Sequence, residues 1–253
     1  MPKPKILFLD IETAPDLGYV WTLYQTNVIE VKEPWYILSY AAKWKGEKAF
    51  VRGLNDWADY GLDMSNDHHL MRELWLLLDK ADIIVAHNGM DFDLKKINAR
   101  FIVHGMKPPS LYVIVDTKRE AKKVARFSSN RLDSLCDQLD IGRKLRHQGF
   151  SMWLGCMAGD AACWKTMKRY NLHDIKLLEG LYNELAPWMR QPNGAMWGRN
   201  CTNPACSSKR KMHSDGIRRN KSRAYRRLVC MDCGARAQGT FSLPSPRADR
   251  VPA

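Results

Sequence analysis

The run Ile6-Leu7-Phe8-Leu9-Asp10-Ile11-Glu12 constrains this chain more than any other short stretch. Consecutive apolar side chains leave neither face of an extended strand for water. Residues 6–11 therefore read as a central strand, covered on both sides. Asp10 and Glu12 are two apart, so a strand points both to one face. They end the apolar run at the strand's C-terminal end, where α/β sheets place ligands. Neighbouring carboxylates beside a core repel each other and resist desolvation unless a cation joins them. Mg²⁺ is the natural one, because it takes hard oxygen ligands. A strand end that merely emerges into water would look the same.

The rest of the body supplies the other layers. Residues 35–44 and 48–52 read as strands joined by the turn Lys45-Gly46-Glu47. Residues 68–80 carry Leu70, Leu74, Leu77 and Leu78 at helical spacing. Residues 82–86 and 112–115 read as strands, and 91–104, 131–139 and 160–185 as helices. The order βββαβαβ followed by helices specifies a mixed sheet flanked by helices, an α/β class. An apolar fraction of 45% with 9 Trp is enough for a real core. Trp153, Trp164, Trp188 and Trp197 read as packing residues, and Cys136, Cys156 and Cys163 as core thiols.

Two further motifs bring acid to strand and helix ends. In Ala86-His87-Asn88-Gly89-Met90-Asp91-Phe92-Asp93 a strand stops, Gly turns the chain and a helix starts. Asp93 falls in the first turn of that helix, while Asp91 suits an N-cap. In Tyr170-Asn171-Leu172-His173-Asp174, Tyr170 and Asp174 are i and i+4 and share a helix face. An ordinary amphipathic helix with a half-buried Tyr would read likewise.

Taken in order, these motifs resemble the DnaQ-like DEDD exonuclease superfamily. They stand as Asp10-Ile11-Glu12-Thr13, His87-Asn88 with Phe92-Asp93, and Tyr170-x-x-x-Asp174. The last is similar to the Tyr-bearing branch, and residue 169 is Arg where the His branch would need His. Asp116-Thr117, Leu132-Asp133-Ser134-Leu135, Gly142 and Lys144 add to the likeness, which covers residues 5–186 and extends to stand-alone members from phages and bacteria. The resemblance implies a ribonuclease H-like fold. It implies two Mg²⁺ or Mn²⁺ ions on Asp10, Glu12, Asp93 and Asp174, about 3.5–4 Å apart, with Tyr170 orienting the water. The implied reaction is 3′→5′ release of nucleoside 5′-monophosphates from single-stranded DNA. An RNA-trimming enzyme of the same fold and a non-catalytic nucleic-acid adaptor are the alternatives. Asp91 remains open as the third ligand.

The C-terminal part differs in composition. Residues 199–253 carry 13 Lys/Arg against 3 Asp/Glu, whereas the first 198 carry 27 against 24. A nearly neutral body with a basic tail suits a polyanionic partner, most simply nucleic acid with a free 3′ end. A replication or recombination protein is a further possible partner. Cys201-x₄-Cys206 and Cys230-x₂-Cys233-Gly234 look like a zinc ribbon, four soft ligands for one structural Zn²⁺, with His213 as a substitute ligand. Between the pairs lie Lys209, Arg210, Lys211, Arg218, Arg219, Arg223, Tyr225, Arg226 and Arg227. Basic groups with an interleaved Tyr suit phosphate contacts and base stacking. The expected organisation is a catalytic domain over residues 1–190, a linker over 191–200, a ribbon over 201–240 and a disordered tail over 241–253. No apolar stretch reaches membrane length and no secretory signal is legible, so a cytoplasmic protein, in a bacterium or a phage-infected host, is expected.

Overall fold

The computed structural model of the chain describes residues 4–24, 27–189, 201, 206, 212–219 and 224–243. These divide into two compact units. One is Lys5–Arg119 with Ser128–Leu181, and the other contains the C-terminal strands.

The first unit is built on a five-stranded sheet flanked by helices, the expected α/β class. Its strands are β1 (Ile6–Thr13), β4 (Ile37–Trp44), β5 (Phe50–Gly53), β6 (Ile83–Ala86) and β7 (Val113–Asp116), in the order β5-β4-β1-β6-β7. β1 pairs antiparallel with β4 and parallel with β6, so it lies at the centre, and Ile6, Leu7, Phe8 and Leu9 are all buried. The strand reads as continuous apolar sequence because helices cover both of its faces. Asp10 and Glu12 stand opposite Ala41 and Ser39 of β4, and the register shifts just after Glu12.

Helix α1 (His68–Lys80) has the expected bounds, and it buries Leu70, Met71, Leu74 and Leu78. Truncating one such side chain to Ala costs about 2–5 kcal/mol, because the cavity only partly collapses. Helix α2 (Asp93–Val103) buries Asp93, Leu94, Ile97 and Phe101. It starts two residues later than expected. Arg100 and His104 near its end both bind the buried carboxylate of Asp67. Helix α4 (Leu132–Gln138) and the 25-residue α6 (Ala161–Leu185) complete the expected set.

Five elements of the body went unread, among them the short 3₁₀ turn Leu54–Asp56. The hairpin β2 (Leu17–Tyr19) and β3 (Glu30–Glu33) leaves β1 beside Glu12, with Trp21, Leu23 and Tyr24 each more than 80% exposed. Helix α3 (Thr117–Val124) is mostly charged, with no apolar stripe to signal it. Helix α5 (Phe150–Met157) is apolar nearly all round, so it has no legible period. A cysteine expected in the core, Cys163, is only half-buried, and Trp188 is 72% exposed rather than packed. Trp197 lies outside the described residues.

The second unit contains a three-stranded antiparallel sheet, β10 (Arg236–Leu243)-β9 (Ala224–Val229)-β8 (His213–Arg219). β10 reaches Leu243, three residues into the stretch expected to be disordered, because Ser242 and Leu243 pair with Tyr225 and Ala224. The expected linker at 191–200 and the tail from 244 lie outside the described residues. No described helix is long and apolar enough to cross a membrane.

Candidate active site and cysteine cluster

Three secondary-structure elements bring the carboxylates together. β1 supplies Asp10 and Glu12, and α6 supplies Asp174. Ligand oxygens of these three lie within 4.8 Å of one another. Asp93, the first residue of α2, accepts a hydrogen bond from the Ile11 backbone N–H at 3.2 Å, which sets it against the same strand end. Asp91 points elsewhere, bound by Arg119 through both oxygens and by Lys95. It is an exposed ion pair, and Asp93 is the one that faces β1.

The loop into α2 has local reasons for its shape. Asn88 sits at φ 68°, a left-handed conformation that Asn tolerates. A Cβ on Gly89 would fall 2.4 Å from the Ala86 Cβ, so only glycine fits. The buried Asp116 carboxylate accepts the Asn88 and Met90 backbone N–H groups and pins the loop to β7. His87 is wedged between Thr117 Oγ1 and the Asn130 carbonyl, and burial pushes it down to about 4.

The electrostatics are those of crowded anions. Asp10 is raised well above the carboxylate range by burial, then by Asp93, Glu12 and Asp174. Glu12 is raised to about 8 by burial and by Asp174. Asp93 is raised to about 7 by burial, against the N–H of Ile11. Asp174 is also raised by burial, with Lys144 opposing. Lys144 is the cation inside the cluster. Its Nζ reaches Asp174 Oδ2 at 2.5 Å and Tyr170 Oη at 2.9 Å. Burial works against its charge, but Asp174 and Tyr170 keep its pKa raised. Burial and Asp174 push Tyr170 up to about 12, so its hydroxyl stays protonated and does not serve as a base.

Partners invisible to sequence spacing complete the site. Asn171 Nδ2 donates to Asp10 Oδ2 at 2.6 Å, and Trp153 hydrogen-bonds Glu12. His147, Trp153 and Tyr170 form an edge-to-face aromatic cluster. A cleft of about 360 Å³ opens beside it, lined by Thr13, Trp35, Lys96, His147, Phe150 and Trp153. Lys96 Nζ stands 3.8 Å over the Trp35 ring.

The donor set fits divalent metal. Asp174 is 1% exposed, and its Oδ1 has no hydrogen-bond partner, a costly state that a cation would relieve. All four groups are hard oxygen donors whose mutual repulsion a cation would offset.

In the second unit, Cys201, Cys206, Cys230 and Cys233 place their sulfurs within 4.8 Å of one another. Cys201 and Cys233 are 3.5 Å apart, too long for a disulfide. Gly234, at φ 71°, turns the chain so that its N–H reaches the Cys230 carbonyl. Burial raises the Cys230 thiol, but the N–H groups of Asp232 and Cys233 and the neighbouring sulfurs bring it down to about 7. His213 is exposed and stands outside this group. Of the basic residues, Arg218 and Arg219 lie on β8 and Tyr225, Arg226 and Arg227 on β9, with Arg218 opposite Tyr225. Lys209, Arg210, Lys211 and Arg223 lie outside the described residues.

The chain belongs to the RNase_H superfamily, whose family profile matches residues 7–186. A segment of 62 residues is 36% identical to a DNA polymerase III PolC-type of Ureaplasma parvum serovar 3. That segment is 23% of this chain and 4% of the relative. Among solved structures, the family B DNA polymerase of the archaeon Pyrobaculum calidifontis is similar in fold, with a TM-score of 0.54 at 18% identity. The likeness covers 74% of this chain and 25% of the polymerase.

Proposed function

We propose that this chain is a metal-dependent 3′→5′ exonuclease of the Tyr-bearing DEDD branch, releasing nucleoside 5′-monophosphates from single-stranded DNA. The observation that carries the reading is the convergence of Asp10, Glu12 and Asp174 within 4.8 Å, with Asp174 Oδ1 buried and partnerless. Superfamily membership and the PolC-type relative support nuclease chemistry on nucleic acid.

Asp10, Glu12, Asp93 and Asp174 would hold two Mg²⁺ or Mn²⁺ ions. Bound there, the ions supply an activated water and stabilise the leaving 3′-oxygen. The chain's own groups do the rest. Tyr170, protonated and tied to Lys144, orients the attacking water. Lys144 carries positive charge to where the scissile phosphate gathers negative charge. The cleft of Trp35, Phe150 and Trp153 takes the terminal base by stacking, and Lys96 stands within reach of its phosphate. The cysteine cluster would hold one structural Zn²⁺, four thiolates leaving no open position. The basic strands β8 and β9 would grip the phosphate backbone.

The test uses 5′-labelled DNA and RNA oligonucleotides of matched sequence with Mg²⁺. A ladder of single-nucleotide steps on DNA, abolished by EDTA, is expected. Binding without degradation under either Mg²⁺ or Mn²⁺ would sink the enzyme reading, and faster trimming of RNA would move the substrate to RNA.

A further inference from the structure

Each carboxylate of the cluster has a protein donor on it. Asp93 Oδ1 takes the Ile11 N–H, Asp174 Oδ2 takes Lys144, Glu12 takes Trp153, and Asp10 Oδ2 takes Asn171. The Asn171 donor is itself held. Its Oδ1 accepts the Ser39 hydroxyl at 3.2 Å, and both residues are fully buried. Ser39 lies on β4 directly opposite Glu12. The hydroxyl anchors the amide, and the Asp10 carboxylate, which only accepts, fixes which end of it each meets. Reversing the amide would press its carbonyl oxygen against a carboxylate and leave its NH₂ facing the hydroxyl.

This arrangement bears on which ion fits. Ca²⁺ takes about 6–8 oxygens and commonly chelates a carboxylate through both, whereas Mg²⁺ demands a near-octahedral shell of single oxygens. With one side of Oδ2 held by a rigid donor, chelation of an ion through both oxygens would strain or break that hydrogen bond, so Oδ1 is the oxygen that Asp10 offers most readily. We propose that Asn171, anchored by Ser39, is a positioning residue that makes Asp10 a one-oxygen ligand and so biases the carboxylate cluster toward Mg²⁺ and Mn²⁺ over Ca²⁺. The inference rests on the metal-dependent reading above. It adds the device that selects the ion.

The experiment is calorimetric titration of Mn²⁺ and of Ca²⁺ into the zinc-loaded full chain, without substrate. Wild type should bind Mn²⁺ more tightly than Ca²⁺. Asn171→Ala should shift the ratio of the two Kd values toward Ca²⁺ by about tenfold, the lower end of what outer partners of metal ligands contribute. Ser39→Ala, which frees the amide without removing it, should shift the ratio the same way by a smaller factor. It also stands in should Asn171→Ala fail to fold, as judged by circular dichroism. Equal losses for both ions in the variants, with the ratio unchanged, would overturn the inference and leave the metal reading standing. No Mn²⁺ binding to wild type would remove both.

Discussion

The two candidate metal sites are built in opposite ways. The carboxylate cluster takes its three groups from β1 and α6, with Asp93 of α2 set against the end of β1, and the donor on Asp10 lies 161 residues further along the chain. Its side chains are held by buried strands and helices and by fixed partners such as Asn171. The four cysteines come as two pairs close in sequence, in a unit that also contains a small three-stranded sheet. Tertiary packing thus holds the oxygen site together against its own repulsion. Among the described residues around the sulfur site only Cys230 and Ala235 are buried, so on the zinc-ribbon proposal the metal would supply much of the folding energy.

Several substitutions would break that contrast if it is wrong. The largest effect is expected at Asp174→Ala, with cleavage of labelled oligonucleotide falling on the order of 10³-fold. Zinc content and melting temperature should hold, and a melting collapse would mean that the carboxylate is structural. Next, Cys230→Ser should remove the bound zinc, read by metal analysis. It should abolish protection of residues 213–243 from protease while the body stays resistant. Unchanged zinc would refute the ribbon. Deleting residues 191–253 should weaken DNA binding by about tenfold and flatten its salt dependence, with cleavage of saturating substrate preserved. An unchanged salt slope would mean that the basic strands are not the grip.

The smallest effect concerns pH. Glu12 near 8 and Asp93 near 7 are raised above the ordinary values of 4.5 and 3.8. The folded state therefore binds these protons more tightly than the unfolded chain does. Their contribution is full below the ordinary values and is lost as pH rises through the raised ones. In EDTA the melting temperature should fall as pH rises from about 5.5 to about 8.5, and Mg²⁺ should flatten the curve. A rise with pH would contradict the crowded-anion picture.

Sequence pattern reached the elements whose environment imposes a period. β1 was legible because both of its faces are buried, and α1 because one stripe is. The hairpin β2–β3 was not, since its apolar side chains face water and follow no burial rule. Asp10, Glu12, Tyr170 and Asp174 were legible as spacings within single elements. The resemblance pointed to Asp93 and left Asp91 open; the structure turns Asp93 toward Ile11 and Asp91 toward Arg119. Lys144, Asn171 and Trp153 become partners of the carboxylates only through folding, since no local spacing connects Ser39 to Asn171 or Trp153 to Glu12.

Helix α6 closes the carboxylate cluster, and this sets a timetable. Asp10 leaves the ribosome 161 residues before Asn171. At about 5–20 residues per second, roughly 8–30 seconds separate the two. Throughout that interval the chain has half a cation site, with neither Tyr170 nor Asp174 in place. On the proposed reading, the chain would have no complete metal site, and so no nuclease activity, during that interval. The group of three carboxylates is complete only when the long helix α6 brings Asp174 and Asn171 to the end of β1.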